Sequence, residues 1–381
     1  MRRRTTMNPT LSSILALLAL ALLIGCPGQG NNDDDDDAAD DDDAADDDDS
    51  SDDDDSGDDD DAADDDDSSG DDDDSGPSVT YPLYFSTMTH MEGGHADDVN
   101  ENVFNNHVEQ LRDAISLAST HGAKMTVESE LPFATGCINW GVNMMQEVLD
   151  AGHGVATHCD ISNIWADETP HATYVAELQA KKDAVDALVG ASNNLGCSGA
   201  GGGTLDWVGG MVDAGFSYIN ATVAMHYLSM PPEAWPDPTW TQQYIMAVLN
   251  HSPSPLDLYD RIYLRQLEDS LNFDHDPGGP LVLSSGSLGR PDQQAGDTED
   301  TQFTNEDVDA LVATLEEVHA KRDPSRVAKI EVHLSLEHLR APTWDVLVYF
   351  FEELGRLQTE GVIQWATQAE VYQVYMDSLE D

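Results

Sequence analysis

Between Asp33 and Asp74 the chain is built from seven short runs of aspartate separated by Ala, Ser and Gly spacers, and this block decides where a fold can begin. It holds no aromatic or branched apolar residue, so it cannot bury enough surface to offset the entropy of ordering. Like-charge repulsion extends it, to a ceiling on the order of 140 Å at the usual rise per residue. Calcium takes many oxygen ligands, which leaves low-affinity Ca²⁺ capture as a functional alternative. No turn chemistry or fixed ligand spacing shapes a site, so residues 26–76 are expected to be a disordered acidic tether. The fold itself is confined to residues 77–381, enough for one large domain or two smaller ones.

The tether has an anchor in front of it. Arg2, Arg3 and Arg4 precede an apolar run from Leu11 to Ile24, too short for a dependable membrane span. That run ends Leu22-Leu23-Ile24-Gly25-Cys26, which resembles a bacterial lipobox. The resemblance implies a signal peptide over residues 1–25, cleavage before Cys26, and a lipid on its thiol that makes the membrane a partner. An uncleaved anchor or a plain signal peptide is the alternative. Pro27 stands where an Asp signals inner-membrane retention, which points to the outer membrane or cell surface.

The formal net charge is −59, and 29 of the 75 acidic residues belong to the tether. Without the tether and leader, 46 acids still face 13 bases. Such a surface repels phosphates, so nucleic acid is not an expected partner. Beyond Cys26, the cysteines are Cys137, Cys159 and Cys197, an odd number for an oxidising compartment. One disulfide and one free thiol are possible, with the pairing open.

After Pro82, apolar strand-like runs alternate with amphipathic helical runs. Strands are expected at 83–89, 124–128, 155–158, 281–283, 328–336 and 362–366, with 218–224 also β-like. Helices are expected at 103–119, 139–149, 174–189, 205–214, 306–320 and 344–358. Strands separated by helices argue for parallel βαβ units. The expected architecture is an α/β fold, a (β/α) barrel of seven or eight strands, closed or nearly closed. The Pro- and Trp-rich stretch from Pro231 to Pro255 breaks this rhythm and reads as an excursion over the barrel mouth.

In such a barrel the active residues sit at the carboxyl ends of the strands. Three expected strands end in metal-capable residues: His90, Glu92 and His95; His158 and Asp160; Glu331 and His333. Alternation on the last of these puts Ile330, Val332 and Leu334 on one face and Glu331 and His333 on the other. Ligands of this kind from three strands can hold Zn²⁺ or a similar divalent cation with a position open for water. The bland alternatives are a buried structural histidine at His90, a loop residue at His95 and a turn cap at Asp160. His107, His121, His171 and His319 read as surface residues, and Glu337-His338 as either outer support for the site or exposed.

The order of these motifs resembles a divergent NodB-type polysaccharide deacetylase. The matching segments are His90-Met91-Glu92-Gly93, the run Leu149 to His158 through Gly152-His153-Gly154, Gly201 to Asp206 with Met211 to Phe216, and Ile330-Glu331-Val332-His333. They span about Tyr81 to Tyr372. The resemblance implies a metal-dependent hydrolase that removes N- or O-acetyl groups from a glycan, with Zn²⁺ as cofactor. Glu92 and His158 would be metal ligands, His90 the base and His333 the acid. The family has a second metal histidine where this chain has Ser162, and Asp160 or His95 would take that place. The third-motif Arg is absent from Gly196 to Ala200. A non-catalytic glycan-binding or structural surface lipoprotein on the same barrel is the alternative reading. In it, Trp140, Trp165, Trp235 and Trp240 are candidate sugar platforms.

Overall fold

A computed structural model describes residues 79–160, 169–201, 205–251, 261–296 and 302–380. The leader, Cys26, the tether, Ser162, Trp165 and the end of the Pro- and Trp-rich stretch lie outside the described residues. The strands are β1 Leu83–Met91, β2 Thr126–Ser129, β3 Gly154–His158, β4 Gly196–Ser198, β5 Tyr218–Asn220, β6 Arg265–Leu267, β7 Leu281–Ser284, β8 Ala328–His333 and β9 Gln364–Trp365. The helices are α1 Glu101–Thr120, α2 Leu131–Asn139, α3 Met144–Asp150, α4 His171–Val189, α5 Trp207–Asp213, α6 Val223–Leu228, α7 Gln242–Val248, α8 Asn305–Lys321, α9 Trp344–Thr359 and α10 Gln368–Ser378.

Local chemistry starts the long helices where the chain needs them. The Asn100 side chain accepts from the backbone of Asn102 and Val103, and Phe104, Val108, Leu111 and Ile115 then follow at helical spacing as the buried stripe of α1. Thr304 with Asp307, and Thr367 with Glu370, form reciprocal capping boxes on α8 and α10.

All nine residues of β1 are buried, as befits a strand covered on both faces. Leu83, Phe85 and Met91 join the apolar shell beneath the helices, while Ser86, Met88 and His90 alternate toward the other face. β8 repeats the pattern, with Ile330, Val332 and Leu334 in the shell and Lys329, Glu331 and His333 opposite.

The sheet runs β6-β7-β5-β4-β3-β2-β1-β8, with β9 also on β1, and every pairing is parallel except β6 with β7. Regular pairing leaves β7 and β8 unjoined. Residues 286–289 fill that gap: Glu331 and His333 donate their N–H groups to the carbonyls of Gly286 and Gly289, and Leu288 donates to Glu331. The architecture is therefore a mostly parallel α/β barrel, nearly closed. α10 packs against β1, β3 and β7.

Gly286 has φ +97°, and a Cβ there would sit 1.9 Å from the Lys329 carbonyl oxygen. Both backbone conformation and space require glycine. Gly286→Ala is expected to lower stability by about 3 kcal/mol or more, read as a shift of the urea midpoint. A loss below about 1 kcal/mol would show that residues 286–289 yield easily and do not hold the closure.

The structure departs from the sequence expectations in definite places. The expected helix over 139–149 starts late, as α3 at Met144, and an unexpected helix, α2, ends at Asn139, with a left-handed Gly141 (φ +70°) between them. The β-like run 218–224 ends at Asn220, because Thr222 caps α6 by accepting from Met225 N–H. Within the excursion Gln242–Val248 forms α7, which packs on the preceding α6 around Val223, Tyr227, Ile245 and Leu249. Cys137, Cys159 and Cys197 are all buried free thiols, so the disulfide left open above is not formed.

Candidate metal centre

Parallel register sets His90 beside Glu128 and His158 beside Ser198, all at carboxyl ends of strands. Glu92 lies one residue beyond β1. One of its carboxylate oxygens is 3.6 Å from His90 Nδ1, and the other is 3.5 Å from His158 Nε2. The two rings stack, with centroids 3.8 Å apart. Ligand atoms of the three residues all fall within 4.8 Å of one another. Neighbouring ligands of a tetrahedral Zn²⁺ are about 3.3 Å apart when each bond is about 2.0–2.1 Å. The observed spacings suit a cation of that size.

Outer partners aim the two imidazoles. Ser198 Oγ donates to the carboxylate of Glu128, so it accepts from His158 Nδ1–H at 2.8 Å. That leaves the His158 Nε2 lone pair facing Glu92. Glu128, fully buried and also accepting from Asn220 Nδ2–H, faces His90 Nε2 at 3.3 Å. His90 Nδ1 is then the nitrogen turned toward Glu92, and it is buried without a hydrogen bond. A carboxylate or hydroxyl behind each histidine is the usual support of a metal ligand.

The charges are set by the same contacts. Burial opposes a charge on His90, yet the Glu128 and Glu92 carboxylates beside it outweigh burial and raise its pKa to about 9. A cation held at Nδ1 would take the place of a proton on this ring. Burial also opposes ionisation of Glu92, and the His158 and His90 rings beside it overcome that, holding the carboxyl well below its usual range.

Across from this group His333 and His251 stack with centroids 4.1 Å apart, and His90 lies 4.4 Å from His333. Burial, followed by neighbouring histidines, pushes both pKa values well below the ordinary value. Both are therefore neutral at pH 7. Neither nitrogen of His333 has a hydrogen-bond partner among the described residues. His90, His251 and His333 form a second set of ligand atoms within 4.8 Å.

The sequence-derived residues thus fall into four places. His90, Glu92 and His158 come together, and His333 reaches His90 from the other side. Asp160 groups with Glu92 and Glu130, and Glu130 is paired with Lys181 at 2.6 Å. His95 stands apart, with Asp97 and His107. His338 is buried against Asp292 at 3.3 Å, and Trp140 and Trp235 donate their indole N–H groups to the Asp97 and Tyr227 carbonyls as packing residues.

Sequence reasoning missed Glu128, Ser198, Asn220 and His251. Glu128 ends a strand and was open to the same strand-end logic. His251 lies within the excursion and carries no periodic signal. The Arg290 N–H holds its carbonyl, and Gly289 makes room for it, since a Cβ there would lie 2.1 Å from the His251 carbonyl oxygen.

No family model and no curated protein matches the sequence. Similar solved structures include a putative polysaccharide deacetylase from Mycobacterium smegmatis, 11% identical over 78% of this chain and 92% of that one, with a TM-score of 0.48. PuuE allantoinase is 13% identical over 76% of this chain and 89% of that one, at a TM-score of 0.49. The 4-alpha-glucanotransferase from Thermococcus litoralis is 12% identical over 77% of this chain, at a TM-score of 0.49, and this chain covers 40% of it. The chemistry of the present chain rests on its own side chains.

Proposed function

We propose that the chain is a divalent-cation-dependent hydrolase that deacetylates a glycan, tethered in the cell envelope through a lipid on Cys26 and the acidic spacer. The observation that carries this reading is the Glu92 carboxylate placed 3.6 and 3.5 Å from ring nitrogens of His90 and His158. Two imidazoles and a carboxylate suit Zn²⁺, whose catalytic sites keep one position open for water. When bound there, such a cation supplies Lewis acidity to an acyl carbonyl and to a water molecule.

His90 is a ligand in this reading, not the base expected from the sequence, because Glu128 and Ser198 occupy its Nε2 side. The proton carrier is His333. Its neutral, unpartnered imidazole accepts a proton from water as the water adds to the acetyl carbonyl. The same proton then passes to the leaving nitrogen or oxygen of the sugar, so one group serves as base and then as acid. Glu128 and Ser198 hold the ligands in place and move no proton to substrate.

His333→Gln is expected to lower kcat for acetate release by about 10²–10⁴-fold while cation content stays unchanged. The assay is acetate release from N-acetylated chitooligosaccharides and O-acetylated xylan, with the full-length chain loaded with Zn²⁺. Loss of bound cation in this variant would make His333 a ligand in the set with His90 and His251. No release from either glycan by the loaded wild-type chain would leave glycan binding on the same barrel as the better reading.

A further inference from the structure

His95, Asp97 and His107 lie on the turn after β1 and on the first turns of α1, outside the constellation around Glu92. Asp97 is fully buried. One of its carboxylate oxygens is 2.8 Å from His107 Nδ1, and the other is buried with no hydrogen-bond partner among the described residues. His95 Nδ1 is likewise buried with no partner, and the two imidazole rings are 4.9 Å apart at 59°. The three residues offer ligand atoms that all lie within 4.8 Å of one another.

A buried carboxylate oxygen without a partner is costly, and so is a buried imidazole nitrogen without one. The backbone is shaped to produce this arrangement. Ala96, between two of the three residues, has φ +59°, a conformation that L-residues rarely adopt. Trp140 Nε1–H and Asn139 Nδ2–H hold the carbonyls of Asp97 and Asp98 from α2.

We propose that His95, Asp97 and His107 form a second metal site, separate from the one at Glu92, that takes a borderline transition cation of the Zn²⁺ class. Two nitrogens and one carboxylate oxygen suit Zn²⁺, Co²⁺ or Ni²⁺, whereas Ca²⁺ and Mg²⁺ prefer all-oxygen sets. A cation held by the three residues would give this cluster the partner that its buried polar atoms lack. It would also tie the turn that carries Glu92 to the start of α1, since His95 follows Glu92 by three residues.

The test uses the purified full-length chain, equilibrated with Zn²⁺ and separately with Co²⁺. Metal content and the visible Co²⁺ absorption are measured in wild type, His95→Ala, His107→Gln, His158→Ala and the His95→Ala/His158→Ala pair. The Asp blocks are common to all, so differences between variants report the folded sites. His158→Ala is expected to keep one equivalent that the double variant loses, with the Co²⁺ band and the Zn²⁺-induced rise in Tm lost alongside. His107→Gln, checked for folding by circular dichroism, should lose the same equivalent. Equal content in His158→Ala and the double variant overturns the second site and leaves a plain Asp-His pair beside a second histidine. Loss in His95→Ala with none in His158→Ala keeps this site and removes the metal from the proposed hydrolase.

Discussion

His158→Ala is expected to remove the cation held at Glu92 and to reduce acetate release by more than about 100-fold, with the fold intact. Replacing a residue that only supports a metal ligand costs about 10–100-fold in affinity or activity, and the ligand itself should cost more. Glu92→Gln should match it, because the amide keeps the shape but loses the charge between His90 Nδ1 and His158 Nε2. Ser198→Ala should fall between wild type and these two, by about 10–100-fold, since it frees the His158 ring without removing a ligand. This graded order is the signature to measure, by titration with Zn²⁺ against a chelator and by acetate release on the same preparations. Unchanged cation affinity in both His158→Ala and Glu92→Gln would sink the metal assignment at these residues.

That order also separates what the sequence makes legible from what it hides. Glu92, His158 and His333 could be placed because each follows an apolar strand, and strand ends converge in any parallel barrel. The alternation around Ile330, Val332 and Leu334 even fixed which face of β8 carried Glu331 and His333. The role of His90 could not be read in this way. Whether an imidazole is a base or a ligand depends on what stands behind it, and Glu128 is 38 residues away in sequence. Ser198 and Asn220 lie on strands of three residues each, too short to show a period of two. His251 arrives by a stretch whose path is set by packing of Tyr227, Ile245 and Leu249, not by any local propensity. His95 followed the same strand-end logic as Glu92, but the left-handed Ala96 turns the chain toward Asp97 and His107.

Lys329→Met should lower stability by about 3–5 kcal/mol. Lys329 and Glu331 are both fully buried, and the Lys329 ammonium donates to Glu331 at 2.5 Å, to the Gln368 side chain at 2.9 Å and to the Ser284 carbonyl at 3.1 Å. Removing the cation leaves a carboxylate in a site where burial already raises its pKa against the pull of Lys329. Without that pull the pKa of Glu331 rises further. The folded variant then binds a proton that the unfolded chain, with an ordinary glutamate near 4.3, has already released. Its stability must therefore fall as pH rises above that ordinary value, and the loss continues up to the folded pKa. Lys329→Met should be less destabilised at pH 5 than at pH 8, by urea titration at each pH. Pairing it with Glu331→Leu removes the stranded charge, so most of the loss should be recovered and the added pH dependence should vanish. A double variant no more stable than the single one would mean that shape, through contacts to Gln368 and Ser284, holds this level of the barrel and the ion pair does not.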